Sequence, residues 1–181
     1  MSDQVQFTYH LHPPGKATGS LLVGNKNTSF EITNICNPLY DLLKGLVSMV
    51  VEPRHLWDED NTIWVDWFNE TSCIKWILNT TDGKDLKIRI ISTKDIFDES
   101  NAEVILESGC DFMEFCQAII SELDRFIKEL GLLNYEQIWK KDEFPITYHL
   151  ILKKYLIEHK LWKSIDNKTD NLYDEISILE A

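Results

Sequence analysis

The chain is short of glycine, with seven in 181 residues, and short of positive charge, with 18 Lys and Arg against 30 Asp and Glu. Each shortage closes a class of function. Phosphate cradles need tight glycine turns, and neither a P-loop nor a dinucleotide motif is present; Val23 to Asn27, "VGNKN", reads as a hairpin turn. The net charge of −12 argues against a nucleic-acid binder, which carries a basic face. The chain also lacks a G-x-S-x-G nucleophile turn and a Cys-x-x-Cys pair. No apolar run approaches the length of a membrane span, and the opening "MSDQVQFTYHLHPP" lacks the basic-then-apolar order of a signal peptide. The expectation is a cytoplasmic protein with Cys36, Cys73, Cys110 and Cys116 reduced, no membrane partner and no cofactor. Its length fits one domain, residues 1–163, followed by an acidic, loosely held tail, 164–181.

What is present reads as strands, then a helix, then strands, then helices. Val5, Phe7, Tyr9 and Leu11 alternate with Gln6, Thr8, His10 and His12, the period of a half-buried strand. A hairpin follows around Gly24. Asn37 caps a helix that begins at Pro38 and carries Leu39, Leu42, Leu43, Leu46 and Val50 on one side. A turn at Glu70-Thr71 then pairs Trp67 with Ile74, Val65 with Trp76, Ile63 with Leu78 and Asp66 with Lys75. A three-residue turn with Gly83 in a left-handed conformation would pair Leu78 with Leu86, Trp76 with Ile88 and Lys75 with Arg89. One more strand is expected around Val104. Asp111 and Glu114 open the clearest helix, whose stripe runs from Phe112 to Leu130 and stops at Gly131. Runs rather than alternation of the two element types mean α+β. The predicted architecture is a mainly antiparallel sheet of six to seven strands. One helix is inserted after the third strand, and a C-terminal helical segment packs on the sheet.

Metal and catalytic constellations fail in turn. Trp57 to Trp67, "WDEDNTIWVDW", offers oxygens in an EF-hand-like order, but Ile63 stands where the loop needs glycine. His10 and His12 share a strand face with no third ligand to join them. Asp58, Glu59, Asp60 and Asp66 supply carboxylates for acid–base work, yet Asp66 has Lys75 across the strand as an ordinary partner. Nine carboxylates and no Lys or Arg fall between Asp95 and Asp124. That run reads first as a solvated surface; the sharper reading is a field that attracts a basic partner.

Protein recognition is the class that remains. Trp57, Asp58, Glu59, Asp60, Trp64, Asp66 and Phe68 are the candidate binding residues, because aromatic anchors beside carboxylates suit a basic protein partner. Trp64 and Phe68 point away from the wholly apolar sheet face. They are core if helices cover both faces, as the usual burial of large aromatics favours, and exposed if helices cover one.

The order of features resembles a widespread family of small, uncharacterised bacterial α+β proteins. The likeness lies in Asn37-Pro38-Leu39 with Asp41-Leu42-Leu43, in Trp57 to Asp60, and in Gly131, Tyr135, Trp139 and Phe144-Pro145. These motifs are caps, turns and core aromatics, so the resemblance implies a fold and no catalytic residues. In class and charge the chain is also similar to bacterial toxin-immunity proteins. The expected function is a non-enzymatic protein-binding domain, an immunity- or adaptor-type partner of a basic protein. The alternative is a small enzyme or ligand binder with a pocket between sheet and helices, using His10, His12 or the carboxylates.

Overall fold

The computed structural model describes residues 4–57, 59–162 and 171–181. Strands β1 (Val5–His12), β2 (Lys16–Val23) and β3 (Lys26–Thr33) form an antiparallel meander. Helix α1 (Pro38–Val51) leads to a second meander, β4 (Asn61–Phe68), β5 (Cys73–Thr80), β6 (Asp85–Thr93) and β7 (Ala102–Asp111). Helices α2 (Phe112–Leu130), α3 (Leu132–Trp139), α4 (Ile146–Glu158) and α5 (Leu172–Glu180) complete the chain. The class is α+β, but the single sheet of six to seven strands is corrected to two separate antiparallel sheets of three and four strands.

A side chain explains the division. Alternation fixes which residues share a face and leaves open which strand edges meet. At the free edge of β3, the Asn69 amide takes the place of a neighbouring strand. Its Oδ1 accepts from Thr33 N at 2.8 Å and its Nδ2 donates to Glu31 O at 3.1 Å. Asn69 lies in the turn between β4 and β5, so this one amide joins the two sheets where a ladder would otherwise continue. The inner faces then meet through aromatic rings, with Phe30 lying 5.0 Å from Trp67 and 6.0 Å from Trp76. Gly19 makes room for this cluster, since a Cβ there would strike the Phe30 ring and Thr8 O.

Local chemistry sets most element ends. The Asn37 side chain accepts from Tyr40 N at 3.2 Å and Trp67 Nε1 donates to Pro38 O at 3.0 Å, fixing the start of α1 against β4. Asp111 accepts from Glu114 N at 2.9 Å and starts α2; Gly131, with φ of 83°, ends it. The β4–β5 register is the predicted one. The β5–β6 register is corrected by two residues, with Leu78 opposite Ile88, Trp76 opposite Ile90 and Lys75 opposite Ile91. Asp82 is the cause: its carboxylate accepts from Lys84 N and Asp85 N at 2.9 and 2.8 Å, which lengthens the turn. A slip of two preserves the parity of the strand, so every apolar residue keeps its face.

Helix α2 packs on β1, α1 packs on β4, and α4 packs on both helices. The C-terminal stretch falls in two parts. Residues 164–170 lie outside the described residues, whereas α5 rests on α4 and buries Ile178.

Candidate protein-binding face

The outward side of the four-stranded sheet collects most of the candidate residues. Across its strands run Trp64, Ile77, Arg89 and Glu107 in one row, and Asp66, Lys75, Ile91 and Val104 in the next. Phe68 faces Cys73 in a third row. Trp64 is 63% exposed and Phe68 40%, so these two rings are solvent-facing and not core. The elements that pack on this sheet contact its other side, as when the Gly45 backbone of α1 approaches Ile63 and Val65.

The approach to β4 adds to this face. Trp57 ends a short 3-10 turn, Arg54–Trp57, and is 79% exposed. Glu59 is exposed and held through its N–H to Arg54 O at 3.2 Å. The Asp60 carboxylate accepts from the Asn79 amide, which also donates to Thr62 Oγ1 at 2.6 Å. Asp60 is thereby tied to the end of the face that carries Trp64. Asp58 lies outside the described residues. On the far side, Glu107 is exposed in the outward row of β7, and Asp95 and Asp98 are exposed in the loop before it. The face therefore has a partly basic centre, with Lys75, Lys87 and Arg89, between two acidic margins.

Asp66 differs from its expected role. It stands opposite Lys75 in register, but its Oδ1 is buried without a hydrogen-bond partner among the described residues. Burial, with the Asp66 carboxylate as the next contribution, pushes the neighbouring Cys73 thiol up to about 11. Cys73 is therefore a protonated, unreactive thiol at neutral pH. Burial also raises the Asp41 carboxyl, against the pull of Lys44 and with help from Asp142 and Asp66.

No protein-family model, curated protein or solved structure matches the chain. The histidines of β1 do not converge on a site. His12 Nε2 lies 2.8 Å from Thr18 Oγ1, while His10 borders a shallow groove of about 230 Å³ beside Arg125 and Glu129. Among the described residues, no group of three or more His, Cys, Asp or Glu side chains is placed to hold a metal ion.

A charged cluster in the helical layer was not anticipated. Lys153 and His149 are fully buried on α4, and Asp124 is buried on α2. Lys153 Nζ approaches Asp124 Oδ1 at 2.5 Å and donates to Leu179 O of α5 at 3.0 Å; Lys128 reaches Asp124 Oδ2 at 2.8 Å. His149 Nε2 lies 3.5 Å from Asp124 Oδ1. Burial alone would raise the Asp124 carboxyl, but His149, Lys128 and Lys153 outweigh it and hold the group well below the usual carboxylate range. Burial pushes His149 down despite Asp124, so its ring is neutral at pH 7. A signal was present in the sequence: Asp124 falls within the apolar stripe of α2, and His149 and Lys153, four apart, fall within that of α4. The cluster docks α5 and bonds helix to helix, which is a structural role.

Proposed function

We propose that this chain is a non-enzymatic protein-binding domain that acts by covering part of its partner's surface, with Trp64 and Phe68 as the anchors. The observation that supports the reading is the exposure of both rings on the edge strand β4, on a sheet face that no helix among the described residues covers. Large exposed aromatics share this face with Ile77, Ile91 and Val104, apolar surface set among charged side chains of the kind that association removes from water. Trp57, exposed at the approach to β4, is a further candidate anchor.

Charge supplies orientation. Glu59 and Asp60 on one margin and the acids of β7 on the other draw a basic partner, and Lys75, Lys87 and Arg89 take its carboxylates at the centre. The arrangement suits a role of the immunity or adaptor type, in which a small acidic domain neutralises or recruits a basic protein. The test is site-specific crosslinking in cells that make the chain, followed by reconstitution with the captured protein. Trp64→Ala is expected to weaken the purified complex by at least about 2 kcal/mol, the cost of losing a hot-spot aromatic. A partner whose affinity is unchanged by Trp64→Ala and Phe68→Ala would refute this assignment of the face.

A further inference from the structure

The free edge of β1 carries a second surface, independent of the Trp64 face. In an antiparallel pair, successive residues alternate between bonding the partner strand and facing away from it. Two bonds set the phase in β1: Gly24 N donates to Gln4 O at 3.0 Å, and Tyr9 N donates to Glu122 Oε1 at 3.0 Å. Even-numbered residues of β1 therefore bond β2, and Val5, Phe7, Tyr9 and Leu11 turn their backbone groups outward. Glu122 satisfies Tyr9 and is itself gripped by Arg125 through Nε at 2.9 Å and Nη2 at 2.8 Å. No group among the described residues bonds the outward N–H and C=O of Val5 and Phe7, although Phe7 is only 4% exposed. Main-chain groups without a partner inside the protein are bonded by water or by a ligand.

These groups open on a groove of about 610 Å³ between β1 and one side of α2. The helix side of the groove carries Glu114, Gln117, Ala118, Ser121 and Glu122. Ala118 and Ser121 keep that wall low at its centre, which leaves room for another backbone. Helical and compact ligands do not match what is exposed. Donors and acceptors at Val5 and Phe7 repeat every second residue, about 7 Å apart, and an extended chain presents groups at that spacing.

We propose that this groove takes an extended peptide segment of a partner protein as a fourth strand on the three-stranded sheet, with a basic side chain opposite Glu114. Charge selects the basic residue: Glu122 already has Arg125 as an ion-pair partner, which Arg125 shares with Glu129, whereas Glu114 forms no ion pair among the described residues. The Glu122 carboxylate marks where the added strand ends, since Tyr9 N is already taken.

A random decapeptide library selected against the full chain supplies the probe, and amide hydrogen exchange read residue by residue supplies the measurement. Saturating peptide is expected to slow exchange at Val5 and Phe7 by at least about tenfold and to leave Tyr9, already bonded, little changed. N-methylation of alternate peptide nitrogens should abolish binding. Ser121→Trp, or Ala118→Trp if the first variant unfolds, should lower affinity at least about tenfold with the melting temperature unchanged. Trp64→Ala should leave the binding intact. The proposal is overturned if the library yields no binder, if bound peptides leave both amides unaltered, or if they tolerate N-methylation. Slowing that grows with protein concentration alone would give the edge to a second copy of the chain and overturn it equally.

Discussion

On the outward side of the three-stranded sheet, Thr8, Ser20 and Ser29 line up across the strands, and Thr8 and Ser20 share a hydrogen bond of 2.8 Å. The rows beside them hold Gln6, Leu22 and Asn27, then His10, Thr18 and Glu31. On the four-stranded sheet, the outward rows hold Trp64 beside Ile77, and Phe68 beside Cys73. Both sheets are antiparallel meanders with an apolar inner face, so the difference lies only in what water sees. The first sheet demonstrates that this architecture needs no outward aromatics. By that comparison the fold does not require Trp64 and Phe68 to face outward, and the proposed binding role would account for them.

That separation of binding from stability can be broken by mutation. Trp76 is fully buried between the sheets, and Trp76→Ala should cost about 3–5 kcal/mol in urea unfolding. Trp64→Ala should fall within about 0.5 kcal/mol of the parent, as exposed sites do. A large loss from Trp64→Ala would show that the outer ring holds the fold together and would end the comparison.

The helical layer sharpens the same point. Asp124→Asn leaves Lys153 and Lys128 without their shared carboxylate and should cost about 3–5 kcal/mol, with no effect on the sheet face. Its pH signature comes from the direction of the shift. A carboxyl held low when folded contributes stability that is complete above its unfolded value, about 4, and is lost as pH falls below it. His149, depressed by burial, loses its share earlier, as pH drops below about 6.5. The parent should weaken in both windows, and Asp124→Asn should lose the lower one. On the three-stranded sheet, Gly19→Ala should cost about 1–3 kcal/mol by forcing Phe30 from its place, measured by the same unfolding curve.

Much of this was legible in the residues. Asn37, Asp111 and Gly131 announce helix ends because their side chains or backbone freedom do the capping locally. The β4–β5 register follows from alternation and a short turn. What escaped depends on contacts between distant residues. Asp82 bonding the backbone of its own turn moved the β5–β6 pairing by two. The Asn69 amide standing in for a strand divided one expected sheet into two. Asp124 and Lys153 carry charge, which reads as surface until their partners on other helices are known. Helix α5 hid in an acidic stretch whose apolar residues, Ile178 among them, find cover against α4. Trp64 and Phe68 could be assigned to a face and not to core or surface, because alternation does not say how many faces helices cover.

The central claim is tested most directly by photocrosslinking from the two outward faces. p-Benzoylphenylalanine placed at position 64 or, as the matched control, at position 20 reports what each face touches in the cell. Position 64 should yield a single dominant protein adduct that position 20 does not give. Equal labelling from both positions, or none from position 64, would contradict a binding role for the Trp64 face.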